Sequence, residues 1–152
     1  MGMICRALGY EMKVALVRFL KGEQQTGEDL FLDSNPNVVS AHMESGFTWN
    51  TQDQELDKKL ANETWLEAEK FLADPNIDLV VLDEITYMVN YKYLDEASIL
   101  KALSNRPEGQ HVVITGRAAS EGIIKASDTV SEVKDVKHAF RANIRAQKGI
   151  DL

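Results

Sequence analysis

The chain has 152 residues, a length that predicts a single domain over residues 1–152. Hydrophobic residues make up 44% and charged residues 27%, a composition that excludes a disordered or fibrous chain. The formal net charge of −7 disfavours a protein that binds nucleic acid, because such proteins usually carry a basic face.

The same composition indicates a cytoplasmic protein with no membrane partner. No apolar run approaches the roughly 20 residues that span a bilayer, and Arg6, Glu11 and Lys13 interrupt the N-terminal apolar residues where a signal peptide would need a continuous run. Cys5 is the only cysteine and cannot form an internal disulfide, which fits a reducing compartment. We expect Cys5 to be a small buried hydrophobic residue.

The first half of the chain predicts a helix end over residues 1–8, closed by Gly9. A strand is predicted over 13–19 (KVALVRF), because this run is short, apolar and rich in branched residues, and 38–43 is a candidate for a second short strand. The polar stretch 22–37 between them, which contains glycine and proline, predicts a loop.

The clearest predicted helix runs from Thr51 to Ala73. Thr51 and Gln54 have the spacing of a capping box, and Asp74-Pro75 ends the helix. Four apolar residues repeat at helical spacing and predict its buried stripe: Ala61, Trp65, Ala68 and Leu72.

The second half alternates strands and helices. The apolar run 77–82 (IDLVVL) predicts a strand covered on both faces, which is typical of parallel sheets. The further predictions are a helix from Asp95 to Leu103 ended by Arg106-Pro107, a buried strand over 111–115, a short helix over 120–126, a short strand over 129–133 and a weakly helical tail. This alternation predicts an α/β domain with a mostly parallel sheet.

Asp83 and Glu84 directly follow the strand that ends at Leu82. Ligands of parallel sheets bind beyond the carboxyl ends of the strands, and Mg²⁺ prefers oxygen ligands. The pair is therefore a candidate magnesium site of the Walker B kind found in nucleotide-binding folds. A capping or surface pair is the alternative interpretation.

Arg117 follows the next apolar strand, so we expect it at the same edge of the sheet. Its forked donors suit polyphosphate. The alternative interpretation is that Arg117 forms an ion pair on the protein surface. Phe47 and Trp49 lie in a segment just before the long helix. These two aromatic residues could bind a flat ligand or fold back against the helix as a staple.

Other chemistry has no support in the sequence. The three histidines lack metal-ligand spacing, and a zinc site with one cysteine is not expected. No G-x-S-x-G motif and no cysteine–histidine dyad pattern occurs. The phosphate-loop signature G-x-x-x-x-G-K-[ST] is also absent from these 152 residues.

Over essentially its whole length the chain resembles the ATP:corrinoid adenosyltransferases of the P-loop type. The segments that carry the resemblance are VALVRFLKG (14–22), SGFTWNTQD (45–53), LADPNIDLVVLDEITYMVNYKYL (72–94), ALSNRPEGQHVVITGR (102–117), DTVSEVKDVKHAF (128–140) and AQKGID (146–151). The resemblance implies a three-layer α/β fold of the P-loop NTPase (RecA-like) class. It also implies transfer of the 5′-deoxyadenosyl group of ATP to the cobalt of a reduced corrinoid, with release of tripolyphosphate.

The resemblance further implies roles for single residues. Asp83 and Glu84 would bind the Mg²⁺ (or Mn²⁺) on the ATP phosphates, and Arg117 would contact a phosphate. Phe47 and Trp49 would pack against the lower face of the corrin ring of cobalamin or a precursor. There they would displace the lower axial ligand and leave a four-coordinate Co(II) that is easier to reduce.

The chain departs from the family pattern at its start. Family members begin with a strand and a phosphate loop that have no counterpart before residues 1–8, which match the helix after that loop. A misassigned start, a fragment and a natural truncation are the three explanations. We expect this chain alone to bind Mg-ATP weakly and to expose strand edges where the missing strand would lie.

Two other functions stay open. One is a corrinoid-binding or oligomer-forming module without catalysis, and the other is a generic RecA-like ATPase subunit, which would not need the GFTW segment. Family members of this type are commonly homodimers, and a separate reductase is a possible partner for the cobalt reduction.

Overall fold

A computed structural model describes residues 1–20, 25–43 and 54–150 of the chain. The strands are β1 (Val14–Arg18), β2 (Val38–His42), β3 (Leu79–Asp83) and β4 (His111–Ile114). The helices are α1 (Gly2–Gly9), α2 (Gly27–Asp33), α3 (Gln54–Ala73), α4 (Ile85–Asn90), α5 (Glu96–Asn105) and α6 (Glu121–Ala126), and a 3-10 turn covers Ala139–Ala142.

The four strands form one sheet in the order β2-β1-β3-β4, and all three pairings are parallel. The two central strands β1 and β3 are buried along nearly their whole length, as continuous apolar runs in parallel sheets are. In their register Arg18 lies opposite Asp83, so both strands end at the same edge. The predicted parallel sheet is confirmed.

Helices cover both faces of the sheet and produce three layers. Alternate strand residues point to opposite faces, so Val17 and Leu82 join a core with α3, α4 and α5. Leu16 and Val81 join a second core with α1 and α2. This architecture confirms the α/β class and is consistent with a P-loop NTPase-like fold.

The long helix α3 packs as its spacing predicts. Its four stripe residues are all buried, at 5% exposure or less: Ala61, Trp65, Ala68 and Leu72. The helix ends at Ala73 before Asp74-Pro75. Thr51 lies outside the described residues, so its predicted capping role stays a prediction.

The predicted loop over 22–37 is wrong in its centre, where α2 forms. Thr26 accepts a hydrogen bond from the backbone of Asp29, and the Asp29 carboxylate accepts one from the Thr26 backbone, which completes a capping box. Leu32 buries its side chain against the sheet. The sequence pattern did not indicate this short helix, because the stretch 22–37 is polar and contains few apolar residues.

Three other expectations also differ from the structure. The stretch 129–133 forms no strand and is exposed. Strand β4 has the predicted position but is only partly buried, because in the described sheet it pairs with β3 alone. Cys5 is exposed on α1, not buried. In the described part of the chain, no helix combines the length and apolar character needed to cross a membrane.

Candidate functional site

The candidate site lies where β3 and β4 end side by side. Asp83 is the last residue of β3, and Glu84 follows it. Thr115 follows β4 and continues the strand pairing, because its N–H donates to the carbonyl of Leu82 at 3.1 Å. Adjacent parallel strands end at a common edge, so this topology brings the two strand ends together.

Thr115 connects the two acidic residues through one hydroxyl group. Its Oγ1 donates a hydrogen bond to Asp83 Oδ1 at 2.7 Å. The same oxygen accepts a hydrogen bond from the backbone N–H of Glu84 at 2.9 Å. The hydroxyl therefore fixes the side chain of one acid and the backbone of the other.

Glu84 sits at the turn from β3 into α4 in the left-handed conformation, with φ 62° and ψ 19°. This region is costly for a residue with a side chain, by about 1–3 kcal/mol. Glu84 is the N-cap residue of α4, yet among the described residues its side chain makes no capping hydrogen bond. The carboxylate is therefore not used to close the helix.

The electrostatics of the acid pair favour a cation. Burial raises the pKa of Glu84 above its usual value, and the negative charge of Asp83 raises it further, while Arg117 lowers it. A divalent cation would offset both the desolvation and the repulsion of the two carboxylates. The donor set also fits Mg²⁺, which takes one or two protein carboxylates and completes its shell with water and phosphate oxygens.

Among the described residues, no larger metal cluster competes with this pair. Within residues 1–20, 25–43 and 54–150, no group of three histidine, cysteine or acidic residues could hold a metal ion. A cation at the acid pair could complete its shell with water and substrate oxygens.

Arg117 lies at the same edge on an exposed loop whose backbone is tightly held. The hydroxyl of Thr86 donates to the Arg117 carbonyl at 2.9 Å, and Asn90 Nδ2 donates to the same oxygen at 3.0 Å. Gly116, at φ 143°, allows this approach, because a Cβ there would overlap Thr86 Oγ1 and lie 2.9 Å from Thr86 Cβ. Helix α4 thus positions the loop that follows β4.

An ionic pair occupies the neighbouring strand end. Arg18, the last residue of β1, pairs with Asp29 of α2, and both residues are buried, at 8% and 3% exposure. Asp29 also accepts the capping hydrogen bond from Thr26. The charge at this strand end is therefore matched within the protein.

Phe47 and Trp49 lie outside the described residues, so their assigned roles stay predictions. The described chain resumes at α3, and a turn with aromatic residues faces this helix. Asn62 Nδ2 of α3 donates to the Tyr93 carbonyl at 3.1 Å, and the Tyr91 ring lies 5.8 Å from that of Tyr93. Burial is the main cause that raises the pKa of Tyr93.

The sequence predicted three of the described site residues and missed three. Asp83, Glu84 and Arg117 come together as expected, whereas Thr115, Thr86 and Asn90 were not singled out. A threonine directly after an apolar strand is a usable signal for Thr115, because that position faces the carboxyl edge. Helix α4, which carries the other two, follows the acid pair without a capping signal.

Together, the fold and the acid pair define an α/β protein of the P-loop NTPase-like class with a candidate cation site at the carboxyl edge of its sheet. The family model for "ATP:corrinoid adenosyltransferase BtuR/CobO/CobP" matches residues 1–152. The chain therefore belongs to the ATP:corrinoid adenosyltransferase family, which confirms the resemblance found in its sequence.

Individual relatives agree with this membership. The chain is 49% identical over 152 residues to the corrinoid adenosyltransferase of Pseudomonas aeruginosa, covering 99% of this chain and 75% of the relative. It is 45% identical over 150 residues to the corrinoid adenosyltransferase of Escherichia coli K12, covering 99% and 76%. A Sinorhizobium corrinoid adenosyltransferase is 37% identical over 154 residues, covering 99% and 72%.

Proposed function

We propose that this protein transfers the 5′-deoxyadenosyl group of ATP to the cobalt of a reduced corrinoid and releases tripolyphosphate, in the synthesis or salvage of adenosylcobalamin. Family membership over the whole chain supports this reaction. The observation that carries the proposal is the acid pair Asp83 and Glu84 at the carboxyl edge, where the metal on the ATP phosphates would need carboxylate ligands.

The reaction needs little chemistry from side chains. The electron pair of Co(I) forms the new bond to C5′ of ATP, and the C5′–O bond breaks with its electrons going to tripolyphosphate. Co(I) is a strong nucleophile, so no general base is required. The protein has to align the carbon with cobalt and stabilise the charge on the leaving group. A site with carboxylates and an arginine, but without a catalytic dyad, fits these demands.

Each described site residue has a role in this proposal. Asp83 and Glu84 would hold Mg²⁺ or Mn²⁺, which would neutralise charge on the departing tripolyphosphate. Arg117 would donate hydrogen bonds to a phosphate oxygen from the neighbouring loop. Thr86 and Asn90 hold that loop by its backbone and leave the guanidinium exposed to substrate.

Phe47 and Trp49 supply the corrinoid half of the proposal. We infer that their rings pack against the lower face of the corrin and exclude the lower axial ligand from cobalt. A four-coordinate Co(II) results, which accepts an electron more easily than the five-coordinate form. Aromatic rings suit this role because they exclude water and make flat apolar contact.

Comparing two cobalt oxidation states tests the aromatic roles. With Phe47→Ala or Trp49→Ala, adenosylation that starts from cob(II)alamin and a reductant should fall by tenfold or more, because four-coordinate Co(II) forms less readily (about 1.4 kcal/mol per tenfold). Adenosylation of preformed cob(I)alamin should fall much less. Tyr10→Ala, which removes a ring that is 78% exposed on the surface, is the matched control. Equal losses in both reactions would contradict the proposed displacement of the axial ligand.

A second candidate function is a corrinoid-binding module without catalysis. Such a module would share Phe47 and Trp49 with the enzyme and would need no triphosphate cradle. The two candidates differ in one result. The module would bind corrinoid, with quenched tryptophan fluorescence, but would form no adenosylcobalamin at saturating Mg-ATP.

Assembly and location remain predictions. We propose that the protein acts as a homodimer in the cytoplasm and receives reduced corrinoid through a separate reductase. Light scattering of the purified chain tests the dimer directly. A monomeric mass over the micromolar range would contradict it.

A further inference from the structure

The acid pair is hydrogen-bonded to a residue from outside the pair. Thr115 follows β4, and its hydroxyl contacts both Asp83 and Glu84. A threonine hydroxyl offers one donor and two acceptor lone pairs. Here the donor is used by the Asp83 carboxylate, and an acceptor position is used by the Glu84 N–H.

The hydroxyl is itself held in place by the sheet. The Thr115 N–H donates to the Leu82 carbonyl at 3.1 Å, which extends the β3–β4 ladder by one residue. On the other side of β3, the Phe19 N–H donates to the Asp83 carbonyl at 3.0 Å. The backbone of Asp83 is therefore fixed from β1, and its carboxylate is fixed from β4.

The contact to Glu84 has a separate consequence. Left-handed backbone in a residue with a side chain persists only where its surroundings enforce it. The hydrogen bond from the Glu84 N–H to Thr115 Oγ1, at 2.9 Å, supplies such a restraint at the turn between β3 and α4. It determines the direction in which the Glu84 side chain leaves the backbone.

We propose that Thr115 is a positioning residue for the cation site: its hydroxyl fixes the Asp83 carboxylate and the Glu84 backbone in the one arrangement that binds a divalent cation. The inference rests on the proposed function, which assigns the metal to the acid pair. Residues that orient metal ligands through hydrogen bonds typically change metal affinity by about 10–100-fold when they are removed.

Mn²⁺ alone is the probe, and the electron paramagnetic resonance signal of unbound Mn²⁺ is the readout, measured with the full chain. Thr115→Val keeps the branched shape and removes both hydrogen bonds, so the Mn²⁺ dissociation constant should rise by about tenfold or more. Thr115→Ser keeps the hydroxyl and should restore affinity to within about twofold of the unsubstituted chain.

The matched control is Thr64→Val. Thr64 is buried, and among the described residues its hydroxyl donates to the Leu60 carbonyl within α3, at 2.9 Å, and not to an acidic residue. Its loss should leave the Mn²⁺ affinity unchanged. If Thr115→Val does not fold, as judged by circular dichroism, Thr115→Ala removes the same hydroxyl with less bulk and is measured in its place.

Glu84→Gln separates failure of this inference from failure of the proposed function. Loss of Mn²⁺ binding in Glu84→Gln with unchanged binding in Thr115→Val would overturn the positioning role and leave the metal site intact. Unchanged binding in Glu84→Gln, or no binding by the unsubstituted chain, would overturn the metal site and the inference with it. Equal weakening by Thr115→Val and Thr115→Ser would also contradict a role for the hydroxyl.

Discussion

The ends of β1 and β3 lie side by side, but they differ in how their charged residues are paired. Arg18 at the end of β1 is buried and paired with Asp29. Its register partner Asp83, at the end of β3, is followed by a second acid, Glu84, whose pKa is raised by burial and by Asp83 and lowered by the exposed Arg117. Among the described residues, the charge at the end of β1 is paired, whereas the two acids at the end of β3 form no salt bridge.

This difference is the one expected between an ion pair that stabilises the fold and an acid pair that binds a ligand, as proposed for Asp83 and Glu84. A buried ion pair contributes to a defined local structure, and its partners are matched within the fold. Two carboxylates whose repulsion and burial raise the pKa of one of them are typical of a site that a ligand completes. The predictions below alter one strand end at a time.

The largest effect is expected from removing one charge of the buried ion pair at the end of β1. Asp29→Asn keeps the shape and the oxygen that accepts from Thr26, but it leaves the buried Arg18 without its charge partner. The free energy of unfolding should fall by about 3–5 kcal/mol, the usual result of removing one partner of a buried pair. Urea denaturation followed by circular dichroism measures it.

Asp95→Asn is the control for the charge change on a helix cap. Asp95 caps α5 from an exposed position, and asparagine caps nearly as well, so a loss below about 1 kcal/mol is expected. Similar losses in Asp29→Asn and Asp95→Asn would mean that the Arg18 pair does not stabilise the end of β1 as described.

A smaller loss is expected from the loop beside the end of β3. Gly116→Ala would force a Cβ into Thr86 Oγ1, so the loop would have to shift or the helix α4 would have to move. We expect a loss of about 2–4 kcal/mol from overlap and backbone strain together. Gly109→Ala has positive φ but open space around it, so it measures backbone strain alone, about 1–2 kcal/mol. Equal losses would contradict the close contact between Gly116 and Thr86.

The smallest expected effect is a gain in stability at neutral pH when Glu84 is neutralised. The pKa of Glu84 is raised in the folded protein, so the folded state holds the proton more tightly and stability falls as pH rises from 4.5 through the raised pKa. With divalent cations removed, Glu84→Gln should therefore be more stable than the unsubstituted chain at neutral pH, by less than about 1 kcal/mol. The difference should vanish below pH 4.5, the ordinary value for this carboxyl.

Thermal unfolding over a pH series measures this effect, with Glu108→Gln as the control. Glu108 is exposed in the turn before β4, at the opposite edge of the sheet. Its substitution should not produce the same pH-dependent gain. A Glu84→Gln variant that is less stable than the unsubstituted chain at neutral pH, without cations, would contradict the burial and repulsion that raise the pKa of Glu84.

Strong local patterns made most of the fold predictable. The apolar runs of β1 and β3, and the regular stripe of α3, indicate both the element and its burial. Helix α2 could not be predicted in the same way, because it is short and lies in a polar stretch, and its pairing of Asp29 with Arg18 is a tertiary contact that local periodicity does not indicate. The exposure of Cys5 likewise depends on which face of α1 meets the sheet.

The candidate site shows the same limit. Asp83, Glu84 and Arg117 follow apolar strands, so the topology of a parallel sheet is enough to bring them to one edge. Thr115 and Thr86 act through hydrogen bonds across 31 residues of sequence. Such contacts depend on the register between β3 and β4, which no local pattern specifies.

The most direct test of the central claim is anaerobic adenosylation of cob(I)alamin at saturating ATP over a series of Mg²⁺ concentrations, followed by absorbance. The chain should form adenosylcobalamin only when Mg²⁺ is present. For its half-maximal rate, Glu84→Gln should need a Mg²⁺ concentration about 10–100-fold higher, which is the usual loss when a metal site loses an interaction. Glu108→Gln should behave as the unsubstituted chain. Corrinoid binding without any adenosylcobalamin, or a rate whose Mg²⁺ dependence is unchanged in Glu84→Gln, would contradict the account.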